Sequence, residues 1–329
     1  MSKKFDIISI GSAVRDIFIQ NKDLSCQGKI CHPFDPSNLG NKITVKEMYF
    51  DIGGGGSNSA ATFSNMGLQT ALISQIANDL PGKEILKTMK KFKVDTSLVN
   101  IKKREETGYS VIFLSNTGDR TALIFRGASD FKNFKLKKTN IHSTWLFVTS
   151  LNGNLPLLKK LLQIAKKNNI KIAWNPGNKE LLSSKSQLKP ILQKTDVLLL
   201  NIKEAQALTN SKSKNIKPIV SKLSKIAPNA IISVTAGNRG AFVKDKSQLL
   251  SAKILDKKVV NATGAGDAFG SGFVSGLHLY NYDIKKALQL AMLNSNSVVT
   301  KMGAKHGLLN KPPTKKMLDK IKIKVTLAT

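Results

Sequence analysis

The sequence predicts an α/β protein: a mostly parallel central sheet with helices on both faces, plus a small β-sheet set outside it. Three observations predict this. Continuous apolar runs recur along almost the whole chain, and strands that are apolar on both sides belong to a sheet covered on both faces. Amphipathic stretches of helical period separate the runs, as the crossovers between parallel strands require. Two regions instead alternate apolar and polar residues, the pattern of a sheet with one wet face.

Phe5–Ile10 reads as the first strand, entered after two lysines. Asp6 in its middle and the lack of a small-residue cleavage site argue against a signal peptide. Lys42–Ile52 alternates, and Asn58–Met66 reads as a helix. Strand Thr70–Ile76 and helix Gly82–Phe92 follow. Thr107–Arg126 holds two alternating runs around Asn116-Thr117-Gly118-Asp119, a hairpin signal. Strands Trp145–Thr149, Ile170–Trp174, Val197–Leu200 and Ala230–Val234 then alternate with helices, among them Leu155–Lys167 and Lys217–Ile226. Asn210–Lys217 is a polar linker, and the residues after Lys311 read as a terminal helix. The 329 residues suit one large domain, 1–329, with segments at about 12–52 and 105–127 inserted in it as a lid.

The net charge of +31 is the compositional outlier. The basic residues are nearly all lysine and lie scattered over most of the helical stretches, whereas base readout leans on arginine. No specific nucleic-acid partner is expected, only general attraction to anions such as ATP. No apolar run has the length of a membrane span, so no membrane partner is expected either. Two cysteines indicate a reducing compartment, read as the cytoplasm. Cys26, Cys31 and His32 have metal-ligand chemistry but lack an evident fourth ligand.

The most informative stretch is Asn261-Ala262-Thr263-Gly264-Ala265-Gly266-Asp267-Ala268-Phe269-Gly270. It reads as a glycine-rich approach to a helix N-terminus, where free backbone N–H groups and the helix dipole attract an anion. Asp267 is out of place in a phosphate cradle unless the chemistry needs a base; a capping role is the alternative. Phe269 stands where a dinucleotide fingerprint needs its third glycine. Neither Gly28-Lys29 nor Gly82-Lys83 is followed by Ser or Thr, so no Walker loop is present.

Three further segments carry chemistry. Gly53-Gly54-Gly55-Gly56-Ser57-Asn58 either lets backbone approach a ligand or forms a hinge. Asn201-Ile202-Lys203-Glu204 follows a buried strand, at the sheet edge where α/β folds bind ligands. Glu204 there is a candidate for Mg²⁺, directly or through water, or simply a solvated helix start. Thr235-Ala236-Gly237-Asn238-Arg239-Gly240 suits nucleotide contact or an ordinary hairpin.

The order of these pieces, from Gly11 and Asp16 through Asn58, Asn201, Glu204, Thr235 and Gly237 to Gly264–Asp267, resembles the ribokinase-like, PfkB family of carbohydrate kinases. The resemblance runs from about Phe5 to Gly307, and Val298–Ala304 looks like the family's C-terminal nucleotide-side segment. It implies transfer of the γ-phosphoryl of ATP, with Mg²⁺, to a hydroxyl of a sugar or sugar derivative. Asp267 would be the base, with Gly264, Ala265 and Gly266 forming the anion hole. Asn201, Glu204, Thr235, Gly237, Gly240 and Asn294 would lie on the nucleotide side. Asp16, Gly54, Gly55, Asn58, Asn152 and Arg126 would lie on the acceptor side, Arg126 alternatively in a surface ion pair.

The chain departs from the family pattern in three places. Asn261 replaces an Asp of the monovalent-cation site, which weighs against cation activation. Gly55 stands where Lys is frequent. Asn152 stands where ribokinase has a sugar-binding Glu. The last two leave the acceptor open. An adenosine-like nucleoside is the alternative, with Tyr49, Phe50 and Phe113 as aromatic candidates on the lid. A non-catalytic anion- or RNA-binding protein on a kinase scaffold is the remote alternative. Pairing of two chains through the lid, giving a homodimer, is a further expectation.

Overall fold

The computed structural model describes residues 4–20, 26–27, 30–31, 40–42, 44–114, 120–137, 141–256 and 258–327. His32 and the 116–119 turn lie outside the described residues. In chain order the N-terminal elements are β1 (Phe5–Ile10), β2 (Val14–Gln20), β3 (Cys26–Gln27), β4 (Ile30–Cys31), β5 (Glu47–Gly53), α1 (Gly55–Asn65), β6 (Thr70–Ile73), β7 (Gln75–Ala77), α2 (Leu80–Lys91), β8 (Asn100–Lys102), β9 (Tyr109–Leu114) and β10 (Arg120–Phe125). The middle of the chain forms β11 (Ser143–Val148), α3 (Leu155–Lys167), β12 (Lys171–Trp174), α4 (Asn178–Leu181), α5 (Lys185–Leu192), β13 (Val197–Asn201), α6 (Ile202–Thr209), α7 (Ile216–Ile226) and β14 (Ile231–Thr235). The last elements are β15 (Ala241–Asp245), β16 (Gln248–Ala252), α8 (Ala265–Leu279), α9 (Ile284–Val298), α10 (Lys315–Leu318) and β17 (Ile323–Leu327).

Nine strands form the main sheet in the order β17-β16-β15-β14-β13-β12-β11-β1-β6. The strands from β14 to β6 run parallel, while β15, β16 and β17 are antiparallel. Period-two alternation within the apolar strands assigns their faces. Ile8, Ile10, Leu146, Val148, Leu198 and Leu200 pack with α3, α5 and α7 residues. Ile7, Trp145, Phe147, Val197 and Leu199 pack on the other face with α1, α8 and α9 residues.

Helix ends follow local chemistry. Asp79 and Asn154 accept from Gly82 N and Leu157 N at 2.8 and 2.9 Å, each with a proline in the first turn. The expected linker Asn210–Lys217 is shorter: residues 210–215 connect α6 to α7, which begins at Ile216.

Two expectations are corrected. The run Thr70–Ile76 divides, because β7 leaves the main sheet to pair with β8. The chain after Lys311 holds only the short α10 and then an edge strand, β17. Ile323, Val325 and Leu327 alternate with the polar Lys322, Lys324 and Thr326, a period of two and not 3.6.

The alternating regions form a separate four-stranded sheet, order β10-β9-β2-β5. Its register places Ile124, Ser110, Asp16 and Asp51 in one row across the strands, with Ala122, Ile112, Phe18 and Tyr49 beside it on the same face. Phe18, Ile112 and Leu114 are buried and pack with Met302. The opposite face carries the row Leu123, Val111, Ile17 and Phe50. Phe50 and Phe113 therefore lie on the face away from Asp16, which corrects their reading as stacking candidates; Tyr49 shares the Asp16 face.

Candidate active site

The segments singled out in the sequence meet at the C-terminal edge of the parallel strands, where loops after β1, β11, β13 and β14 face the start of α8. Gly264 caps α8 in the left-handed region at φ 79°, without a side-chain cap bond. A Cβ there would sit 2.6 Å from Ala304 Cβ, so only glycine fits both the torsion and the space. Further along α8, Gly270 lies against Leu199 and Phe147, and Gly272 and Gly276 lie against α9. The glycines of this helix seat its N-terminus against the sheet and its neighbour.

Asp267 stands in the first turn of α8, three residues past the N-cap Gly264. Its Oδ2 accepts a 2.8 Å hydrogen bond from Asn58 Nδ2. Asn58, 5% exposed, comes from α1, whose N-cap is Gly54 at φ 94°. A Cβ on Gly54 would meet Ser12 O at 2.5 Å, and one on Gly56 would meet Gly11 C at 2.6 Å. The early glycine cluster is thus a tight seam between α1 and the end of β1, not a hinge. Gly55 lies against Thr149 in the same seam.

Asp16 lies in β2, buried, with its carboxylate against Gly53. Burial pushes its pKa up to about 6, against the Ser110 hydrogen bond and the Lys305 charge; Asp51 and Asp267 add to the rise. Asp51, opposite Asp16 in β5, accepts from Ile52 N at 2.8 Å and from Ala304 N at 3.3 Å. Lys305, 5% exposed, donates to Ile52 O and to Asn58 Oδ1. Burial lowers the Lys305 pKa, while Asp51, Asp16 and Asp267 oppose that. Sequence reasoning passed over both Asp51 and Lys305.

On the other side of Asp267 lies a cavity of about 120 Å³, lined by Asn175, Asn201, Glu204, Ser233, Thr235, Gly266 and Asp267 among others. Asn201 and Glu204 form a capping box: Asn201 N donates to Glu204 Oε2 at 2.8 Å and Glu204 N to Asn201 Oδ1 at 3.0 Å. Burial raises the Glu204 pKa despite those bonds. A desolvated carboxylate facing a cavity suits a cation. Among the described residues no cluster of three or more metal-type side chains exists. Mg²⁺ would then depend on phosphate oxygens and water, with Glu204 as the protein's carboxylate, as is usual for this ion. A second cavity of about 350 Å³ adjoins α8 and is lined by Thr235, Gly237, Gly240, Ala262, Ala265, Gly266, Phe269, Met292 and Val299 among others. Its apolar walls and glycine turns fit a flat heterocycle.

Three sequence-predicted residues lie apart from this cluster. Asn294 is fully buried and donates to Ala268 O and Thr62 Oγ1 while accepting from Leu309 N. It ties α8, α1 and the 309 segment together, which corrects its placement on the nucleotide side. Asn152 donates to Asp130, and its Oδ1 is buried without a partner among the described residues. Arg126 is exposed and joins no ion pair among the described residues. Asn261, also buried, accepts from Thr263 N at 2.8 Å and turns its amide to Met302 Sδ.

Known proteins share this architecture. Residues 6–311 match the profile of the pfkB family carbohydrate kinase. The ribokinase of Haemophilus influenzae is 26% identical over 285 residues, 85% of this chain and 91% of that protein. The structure of Arabidopsis thaliana ribokinase complexed with ribose and ATP superposes with a TM-score of 0.77 at 20% identity, over 97% of this chain and 98% of that one. The nucleoside kinase of Methanocaldococcus jannaschii superposes equally, with a TM-score of 0.77 at 21% identity, over 97% and 100%. With its carboxylate-bearing helix start between two cavities and this match over nearly its whole length, the chain belongs to the pfkB family of carbohydrate kinases.

Proposed function

We propose that this kinase moves the γ-phosphoryl of Mg·ATP to a hydroxyl of a sugar or sugar derivative, with Asp267 as the base. One observation carries the assignment: Asp267 is held by Asn58 of α1 and also lines the Glu204–Thr235 cavity, so its carboxylate stands between the Asn58 side and that cavity. Asp16 and Asn58 hold acceptor hydroxyls. The 350 Å³ cavity takes the adenine, and Thr235, Gly237 and Gly240 line its mouth. The N–H groups of Gly266 and Asp267 at the helix start stabilise the developing charge of the transferred group, whereas Ala265 N donates to Ala262 O at 3.3 Å, which corrects its expected place in the anion hole. The phosphoryl transition state is loose, so the hydroxyl proton leaves late and a carboxylate is a sufficient base. Glu204 is the side chain that would hold the water shell of Mg²⁺, an ion that would supply charge neutralisation at the phosphates.

The spent amide of Asn261 supports a reaction without a monovalent cation. A non-catalytic scaffold would have lost the base, the glycines or the acidic side chain; Asp267, Gly264, Gly266 and Glu204 are all in place. The inserted four-stranded sheet acts as the lid of a single domain. Its outer row of Leu123, Val111, Ile17 and Phe50 supports a homodimer. Two cysteines support the cytoplasm as the setting. A nucleoside acceptor is the second reading, favoured by Tyr49 on the Asp16 face.

The test is ADP release from Mg·ATP with D-ribose, D-fructose, fructose 6-phosphate and adenosine in turn. At least one sugar should turn over, and Asp267→Asn should lower kcat by on the order of 10²-fold or more. Turnover of adenosine alone establishes the nucleoside reading, and full activity of Asp267→Asn overturns the mechanism.

A further inference from the structure

Lys305 is a buried cation that the phosphotransfer steps leave unused. It sits in the chain segment after α9, yet its ammonium reaches across to the lid and to α1. Its two hydrogen-bond partners, Ile52 O and Asn58 Oδ1, are both pure acceptors. Three carboxylates face it from three elements: Asp16 from β2, Asp51 from β5 and Asp267 from α8. His306, next in sequence, is exposed and lies 3.7 Å from Asp51 Oδ2.

The bond to Asn58 has a directional consequence. An amide can present either its oxygen or its nitrogen to a neighbour, and rotation exchanges them. Because a lysine ammonium only donates, Asn58 must turn Oδ1 to Lys305, which leaves Nδ2 to donate to Asp267 at 2.8 Å. With the amide reversed, Asn58 would offer an oxygen to a carboxylate and a nitrogen to an ammonium, both repulsive.

We propose that Lys305 is the positioning residue of the phosphotransfer base: through Asn58 it fixes which atom meets Asp267. The proposal rests on the phosphotransfer reading. Asp51 supports it independently, since its bond from Ala304 N anchors the residue next to Lys305 to the lid strand.

The experiment compares wild type, Lys305→Met, Lys305→Arg, Asn58→Leu and the Lys305→Met/Asn58→Leu double variant, using whichever of D-ribose, D-fructose, fructose 6-phosphate or adenosine the wild type turns over. Lys305→Met should lower kcat by on the order of 10²-fold with the KM for ATP nearly unchanged. The acid limb of its kcat profile should move up by about one pH unit, because removing a positive neighbour makes carboxylates harder to ionise. Lys305→Arg should recover part of the loss. The double variant should be no slower than the worse single one, since both changes cut the same relay. If Lys305→Met does not fold, Lys305→Gln takes its place. An unmoved acid limb, or losses that multiply in the double variant, overturns the proposal. Absence of turnover by the wild type would instead overturn the phosphotransfer reading.

Discussion

Asp16 shows how one residue can trade stability for affinity. Its pKa is raised from 3.8 to about 6, chiefly by burial, so the folded protein holds this proton more tightly than the unfolded chain does. The resulting stabilisation is fully present below pH 3.8 and is lost as pH rises through about 6. Two pKa units correspond to about 3 kcal/mol. Asp16→Asn stays neutral throughout, so its unfolding free energy should gain on that of the wild type between pH 4 and 8 by an amount of that order, and its Tm should rise relative to the wild type's. On its proposed role in holding acceptor hydroxyls, its KM for the acceptor should rise, since the carboxylate is replaced by an amide. Thermal melts across that range provide the check: parallel curves for the two proteins would refute the assignment.

Among the elements, α8 separates packing from chemistry within three residues. Gly264 is pinned by its torsion and by Ala304, whereas a Cβ on Gly266 would meet nothing within 4 Å. Gly264→Ala should therefore lower stability by about 1–3 kcal/mol and lose activity as well. Gly266→Ala should leave Tm unchanged or slightly raised, because alanine favours the helix. Its methyl group would project into space lined by Asp267 and Thr235, so the KM for ATP should rise. Melts and steady-state kinetics on the pair test this contrast, and equal Tm losses would contradict it. The sequence contains both glycines, but their different duties become visible only once Ala304 is brought against one of them from the far end of the chain.

For the whole molecule, the outer face of the small sheet is the feature that points beyond the monomer. Met48, Phe50 and Leu123 are 47, 54 and 45% exposed there, in rows that continue across all four strands. Sedimentation should give a particle of twice the 35.9 kDa chain mass, and Phe50→Glu should return it to one chain. A wild-type monomer at micromolar concentration would refute the pairing.

At this scale the sequence foretold much of the architecture. Most of the apolar strands and crossover helices, and the helix start that carries Asp267, depend on local pattern and lie where that pattern puts them, the divided run Thr70–Ile76 and the C-terminal edge strand excepted. What escaped depends on long-range burial. Lys305 is one basic residue among 52, and nothing local marks it as buried. Asp51 interrupts an alternating strand and gains meaning only from its register opposite Asp16. Asn294 looks like a helix-borne ligand until Thr62, Ala268 and Leu309 are found to use its amide.

The bond from Asn58 to Asp267 joins positions 209 residues apart. During synthesis the amide emerges early and the carboxylate late, and Lys305 later still. At roughly 5–20 residues per second, the ribosome holds the first partner for ten seconds or more before the second exists. A prematurely released fragment can contain β1, the strands of the small sheet and the early glycine seam and still lack Asp267 and Lys305. On the proposed role of Asp267, phosphoryl transfer would begin only in chains made past Lys305, which guards against half-made copies.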